Sequence, residues 1–441
     1  MLPEAKIPLL DLVLSLSDTI DLVSPQLANH HLEVAYIARE LAKEYGLPAK
    51  QQNELLTAGA VHDVGALSLS EKLETLEFEI KNPSRHAELG YLLLETFSPF
   101  SELAPIVRFH HVPWNGGDGS GFNGERVPVG SHILHLADRI SALRNRSEYI
   151  LNQADNILER ITAESGKMFM PDLVDAFARV SEKQCFWLNI TSPHIELPIS
   201  QNGEMPSMSL NMEELLSLSK LFARIIDFRS RYTATHSAGV GAVSKALARL
   251  AGFSETECGM MEISGYLHDL GKLAIPAEIL EKPGKLTKDE FNVIFSHPLF
   301  TYRSLQRIRD LSTINMWASF HHERLNGCGY PYHHRAAELQ PGARIMAVAD
   351  IFTAILEERP YHKNTTVKAA MTIIQKLSDN SELDPGIAAL LKRNLDKINS
   401  VRVAAQTAAI KEYRDFYLNG DMGPAEKCPG NLPEYAGYCP A

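Results

Sequence analysis

Long apolar runs, paired cysteines and an excess of basic charge are all missing from this 441-residue chain. Its five cysteines, Cys185, Cys258, Cys328, Cys428 and Cys439, are odd in number and form no CxxC pair. Reduced thiols in a cytoplasm fit that usage better than a disulfide framework does. The N-terminus carries no basic stretch followed by an apolar core, and Ile7–Ile20 is broken by Asp11 and Asp18. Leu9, Leu12, Val13, Leu16 and Ile20 fall at helical spacing there, so an amphipathic helix is expected, not a signal peptide or a membrane span. With 54 acidic against 43 basic residues the net charge is −11. That excludes a general DNA or RNA binder and an anionic-membrane binder, which need a basic surface. A phosphate ester remains within reach of an acidic protein if metal ions supply the positive charge. No low-complexity run appears. Alternating β-branched runs are scarce, and "FWLNI" at 186–190 is the best candidate for a short strand.

What is present is helical. Hydrophobic residues make up 45% of the chain, enough for full cores, and the length suits roughly two to three domains. "LEVAYIARELAKEYGL" and "SAGVGAVSKALARLAGF" carry apolar residues at i, i+3, i+4 and i+7. An all-α fold is expected.

The chain also repeats itself. His30 precedes His62-Asp63 by 32 positions, and His236 precedes His268-Asp269 by the same 32. His86 precedes His110-His111 by 24, as His297 precedes His321-His322. His110 to Asp138 spans 28 and His321 to Asp350 spans 29. The flanks agree, "AVHDVGALSLSE" with "YLHDLGKLAIPAE" and "VGSHILHLADRISAL" with "PGARIMAVADIFTAI". Two copies of one helical unit, 1–200 and 205–441, are therefore expected, joined by the Pro/Ser/Gly-rich stretch "SPHIELPISQNGEMPSMSL".

Each copy offers His … His-Asp … His … His-His … Asp. A lone histidine on a helix is usually a core or surface residue, but seven such residues recurring in order at matched gaps point to a metal site. Imidazoles with carboxylates suit Fe, Mn, Zn or Ni, whereas Mg and Ca prefer oxygen cages. A carboxylate can bridge two ions. Adjacent positions do not share a helix face, so His321-His322 is expected at a helix end or kink. Two metals a few ångströms apart can lower a water's pKa, hold the hydroxide and clamp phosphate oxygens for in-line attack. Lys272, one helical turn from His268 (i, i+4), would face the same cavity, and could neutralise charge on phosphorus.

The second copy resembles the HD-GYP branch of the HD phosphohydrolase superfamily, through "HSAGV" (236–240), "HDLGKLAIPAEILEKPGKLTKDE" (268–290), His297, "HHERLNGCGYP" (321–331), "RIMAVAD" (344–350) and "ERPYHK" (358–363). The resemblance implies hydrolysis of a cyclic dinucleotide, cyclic di-GMP or 3'3'-cyclic GMP-AMP, to a linear dinucleotide. It implies two divalent transition metals, iron or manganese, held by His236, His268, Asp269, His297, His321, His322 and Asp350, with Asp269 the bridge. Lys272 and Arg359 would then meet phosphate, and Gly329, Tyr330 and Pro331 would line the substrate or contact a signalling partner such as a diguanylate cyclase. A general HD nucleotide phosphohydrolase and a cyclic-dinucleotide receptor with little turnover are the other readings; a homodimer is compatible with the helical surfaces.

Some positions depart from that pattern. Three residues after Asp350, where the family has a second Asp, stands Thr353, and the position of a third-metal ligand is Tyr232. Two metals and altered chemistry are expected. The first copy keeps His30, His62, Asp63, His86, His110, His111 and Asp138, but has Ala66 for Lys272 and Val112 for Glu323. Its loop "NGGDGSGFNGE" lacks the Tyr-Pro pair. A degenerate, regulatory domain that retains metal ligands is the leading expectation there, ahead of a second hydrolase or a metal-free relic. Phe109 and Trp114 are expected to be core.

Overall fold

The computed structural model describes residues 9–21, 29–66, 73–78, 83–192, 210–228, 235–280, 282, 284–357 and 365–419. Arg359 and the rest of 358–364, Tyr232, the junction at 193–209 and both tail cysteines lie outside these residues. Helix dominates throughout. The only paired strands among the described residues are the two-residue Gly121–Phe122 and Glu125–Arg126, a small hairpin inside the long loop of the first copy. No described helix is long and apolar enough to cross a membrane.

The chain divides into two compact units. One runs to Ile225 and takes in Leu270–Pro276 and Leu299–Asn315; the other comprises Ile226–Asp269, Ala277–Pro298 and the chain from Met316. In the first unit lie α1 (Leu9–Asp21), α2 (His30–Tyr45), α3 (Ala49–Val61), α4 (Pro83–Glu95), α5 (Ala104–Arg108), α6 (Val129–Ala142), α7 (Ala154–Ala163), α8 (Pro171–Ser181), α9 (Gln184–Ile190) and most of α10 (Met212–Phe228). Helix α2 is central and packs on α3, α6 and α8, burying Val34, Ile37, Leu41, Leu134 and Phe177. The glycine at 59 allows this packing, since a Cβ there would lie 2.6 Å from the Ala35 Cα.

The expected strand at 186–190 is instead helix α9. Trp187 Nε1 donates to Ser181 O at 2.9 Å, and Phe186 stacks on Tyr36 and meets Phe177 edge-on. Aromatic packing against α2 and α8 decides the local conformation over strand propensity.

The second unit is organised in the same way around α11 (His236–Leu250), followed by α12 (Glu255–Leu267), α13 (Ala277–Leu280), α14 (Lys288–Ile294), the start of α15 (His297–Gln306), the end of α16 (Ser312–Ser319), α17 (Pro341–Leu356), α18 (Val367–Asp379), α19 (Pro385–Arg393) and α20 (Leu395–Asn419). Helix α11 packs on α12, α17 and α20, and Val240, Val243, Leu247, Ile263, Val348 and Phe352 are buried. A capping box starts α12: Ser254 accepts from the Glu257 N–H, and Glu257 accepts from the Ser254 N–H. Here Gly265 does what Gly59 does in the first unit, a Cβ there meeting Gly241 Cα at 2.5 Å. Each glycine brings the helix that starts with the first histidine against the helix that ends at the His-Asp pair.

Candidate metal centre

Two residues after each of those glycines the helix ends, and the histidine of the His-Asp pair caps it. His268 caps α12 with helical backbone angles, and its Nδ1 lies 2.8 Å from Gly265 O. His297 and His321 do the same, with Nδ1 2.7 Å from Ile294 O and 2.6 Å from Ala318 O. An Nδ1–H donated to the carbonyl three residues back fixes the tautomer and leaves Nε2 as the coordinating atom. The first copy repeats the device, with His62 Nδ1 2.8 Å from Gly59 O and His110 Nδ1 2.5 Å from Val107 O. His321-His322 and His110-His111 lie in turns just past short helices, so adjacent rings can reach different positions.

In the second unit the ligating atoms of His236, His268 and Asp350 lie within 4.8 Å of one another, and so do those of His297, His321 and His322. Asp269 stands between the groups: Oδ2 is 3.3 Å from His268 Nε2 and Oδ1 is 3.4 Å from His297 Nε2. Asp350 offers Oδ1 to His236 Nε2 at 3.2 Å and Oδ2 toward His322 Nδ1 at 3.8 Å. The structure thus brings together all seven ligands expected in this copy. All are buried except His322, which is half-buried.

The first unit holds the matching set. His30, His62 and Asp63 form one group, and Asp63, His86, His110 and His111 another. Asp63 faces His62 Nε2 at 3.5 Å with Oδ2 and His86 Nε2 at 3.3 Å with Oδ1. Among the described residues, His30 Nε2, His62 Nε2, His110 Nε2, Asp63 Oδ1 and Asp138 Oδ1 are buried without a hydrogen bond. Buried polar atoms are seldom left so. Convergent imidazole and carboxylate atoms that face one another without hydrogen bonds fit divalent transition-metal ions.

Electrostatics accord with clusters that need cations. Burial opposes a charge on His236, but the Glu357 and Asp350 carboxylates outweigh it and push His236 up to about 10. Burial and the neighbouring His268 hold His321 well below the usual histidine range, and burial and His321 do the same to His322. Burial would raise Asp350, yet its bond to His236 and the surrounding histidines hold it far below the usual carboxylate range.

The signature loop follows His322. Buried Glu323 accepts from Tyr332 N at 2.8 Å and His334 N at 2.9 Å. Gly329 crosses so close to it that a Cβ would lie 2.4 Å from Glu323 Cα. Tyr330 is drawn over the site and stacks on His322 with ring centroids 4.7 Å apart. The Phe295 ring lies 4.4 Å from the Tyr330 ring. Tyr330 is thus placed against a candidate ligand, and the exposed Phe295 beside it. Burial and the Asp350 carboxylate push the Tyr330 hydroxyl up, so it stays protonated.

The helical-face argument for Lys272 does not hold: α12 ends at Leu267, and Lys272 is half-buried in a separate 3-10 turn, Leu270–Ala274. In the first copy Phe109 is core, packed with Val112 and Val127, and the half-buried Trp114 ring meets His132 at 5.3 Å.

Sequence reasoning missed several supporting residues. Glu357 lies 3.0 Å from His236 Nδ1. Arg139, almost wholly buried, donates to Asp138 Oδ2 and Thr75 O, both at 2.6 Å, and to Glu77 O. His132 and His135 are buried near the first cluster. The signal available was the mismatch between copies, Arg139 where the second has Ile351 and Glu33 where it has Gly239.

Compared with known proteins, residues 27–143 match an HD domain family and residues 220–387 match another family described as HD domain. The chain is 29% identical over 397 residues to the 3'3'-cGAMP-specific phosphodiesterase 1 of Vibrio cholerae serotype O1, covering 87% of this chain and 91% of that one. It is 40% identical over 160 residues to the cyclic di-GMP phosphodiesterase response regulator RpfG of Xanthomonas campestris pv. campestris, covering 36% of this chain and 42% of that protein. The crystal structure of the cyclic GMP-AMP specific phosphodiesterase V-cGAP3 of V. cholerae superposes with a TM-score of 0.60 at 24% identity, covering 88% of this chain and 97% of that one, which agrees with the two-copy all-α fold.

Proposed function

We propose that this chain, built of two HD domains and homologous to cyclic dinucleotide phosphodiesterases, opens 3'3'-cyclic GMP-AMP or cyclic di-GMP to a linear dinucleotide at its second copy. The observation that carries the reading is the pair of three-residue ligand groups with one Asp269 oxygen turned to each. That a relative matched over nearly its whole length is named for 3'3'-cGAMP supports including that nucleotide. Two divalent ions, iron or manganese, would supply the lowered water pKa and the charge that neutralises phosphate. His236, His268 and Asp350 would hold one, His297, His321 and His322 the other, and Asp269 both. Water's oxygen forms the new bond to phosphorus, the ring P–O bond breaks, and the leaving oxygen takes a proton.

Lys272 and Arg359 are proposed to meet the phosphate, and Tyr330 with Gly329 and Pro331 to shape the pocket over His322. The first copy is proposed to hold metal without turnover, since the buried Ala66 replaces the lysine. Lys272→Ala should retain metal and lose most of the rate; loss of metal instead would make Lys272 an ordering residue. The direct test is anaerobic turnover of both cyclic dinucleotides by iron- or manganese-loaded protein, with products separated by chromatography. A linear dinucleotide is expected. Saturable binding without product would replace the enzyme by a receptor.

A further inference from the structure

On the reading that the His236–His268–Asp350 group holds metal, His236 is oriented differently from three of the other histidines. His268, His297 and His321 each donate Nδ1–H to the carbonyl three residues back. His236 differs among the described residues: its Nδ1 is met by a carboxylate, 3.0 Å away, and not by a carbonyl. We infer that Glu357 fixes its ring, a positioning residue standing in for the carboxylate absent from position 353.

The two copies show how the role moved. In the first, His30 is the first residue of its helix. Its Nδ1 lies 3.0 Å from Ser141 Oγ, and Ser141 donates to Glu33 Oε2 at 2.9 Å. Arg144 and Arg146 hold that buried carboxylate from the other side. Ser141 is three residues after Asp138, as Thr353 is after Asp350; Glu33 is three after His30, as Gly239 is after His236. In the second copy this relay cannot form. A Cβ at Gly239 would lie 2.8 Å from Thr353 Cγ2, and Thr353 Oγ1 is buried without a hydrogen-bond partner among the described residues.

Glu357 lies one helical turn beyond Thr353, on the same side of α17. Both its oxygens are 3.0 Å from His236 Nδ1, while His236 Nε2 points at Asp350. Gln406 on α20 donates to Glu357 Oε1 at 3.0 Å and accepts from Arg402. The carboxylate is therefore held on its far side, and it holds Nε2 toward the cluster. Such an outer partner raises ligand basicity and fixes the ring.

The test is manganese retained by the full-length protein after dialysis against buffered free metal, for wild type, Glu357→Ala, Glu357→Gln and the double variant Thr353→Asp/Glu357→Ala. The first copy contributes equally to all four, so the differences report the second. Glu357→Ala should need about 10- to 100-fold more free manganese for the second-copy step, the usual cost of losing an outer partner. Glu357→Gln, which keeps an oxygen for Nδ1–H, should retain more, and the double variant should recover affinity by returning a carboxylate to the same helix side. Wild-type retention by Glu357→Ala would overturn the inference. So would equal losses in Ala and Gln with no recovery in the double variant, because Glu357 would then act by packing. Failure of the wild type to take up manganese would overturn this inference and the metal reading together.

Discussion

Removing the Glu323 side chain should release the signature loop. Its carboxylate accepts two backbone N–H groups, from Tyr332 at 2.8 Å and His334 at 2.9 Å, in a place where the residue is 1% exposed. Hydrogen bonds to a charged partner are worth about 1.5–3 kcal/mol each. Glu323→Ala should therefore lower the free energy of opening the loop by about 3–6 kcal/mol, a loss of roughly 10²–10⁴ in protection at about 1.4 kcal/mol per tenfold. Glu323→Gln keeps one carbonyl oxygen but turns an NH₂ toward the second donor, so about half that cost is expected. Amide hydrogen exchange at Tyr332 and His334 reads the effect directly. The consequence for the site is a fall in kcat/KM, because Tyr330, stacked 4.7 Å from His322, sits on the same loop. Unchanged exchange at both amides in Glu323→Ala would refute the clamp; loosened amides with wild-type kcat/KM would refute its link to the site.

Other changes follow from the same geometry. Asp269→Ala or His268→Ala should abolish turnover and reduce bound metal, and wild-type rates in either would remove the assignment of the site. Arg139→Ala leaves a buried carboxylate and two carbonyls without their partner, and should cost about 3–5 kcal/mol in chemical unfolding; a loss under about 1 kcal/mol would mean that the cavity hydrates freely. In metal-stripped protein, His236 and His62 are pushed up to about 10 and about 9, the carboxylates beside them outweighing burial. Their stabilisation is complete below the unfolded value of about 6.5 and lost as pH rises through those values. Burial depresses His135 to about 3 and His86 to about 4, and their contribution is lost as pH falls from about 6.5. Thermal stability of the stripped protein should thus peak near neutrality, and a monotonic profile from pH 5 to 9 would contradict the clusters as drawn.

The candidate set was legible because several of its members stand at helix ends or turns, and the gaps between such events survive duplication. His62 and His268 are found by the same count because the same glycine-tight helix pair precedes them. What was not legible depends on distant chain. Glu357 reaches His236 across 121 positions, and Arg139 reaches Thr75 across 64; neither pairing leaves a period in the sequence. Lys272 was placed by assuming that the helix continued past His268, and the 3-10 turn after Leu267 removes that basis. At 186–190 an apolar, aromatic run looked like a strand, but Trp187 and Phe186 bury their rings among Tyr36 and Phe177, and the helix follows from that packing.

The two copies diverge where substrate is handled more than where metal is held, and the reason lies in what each task needs. Holding a metal requires ligands and the nearby carbonyls that orient them, and both copies have these. Handling a phosphodiester requires a charge beside the site and a loop over it. The first copy has Ala66 and Val112 at the corresponding positions, and its loop is pinned elsewhere, Trp114, Asn115 and Gly116 donating backbone N–H groups to the carbonyls of Met168, Lys167 and Gly166. Its final carboxylate is also engaged differently. Asp138 gives Oδ2 to Arg139, leaving Oδ1 to face His30 at 3.4 Å and His62 at 3.7 Å. Asp350 turns both oxygens to histidines. An arginine sharing that carboxylate lowers the negative charge available to a bound cation. On the proposed reading, the first site is therefore suited to hold metal more weakly than the second, whose carboxylates are undivided.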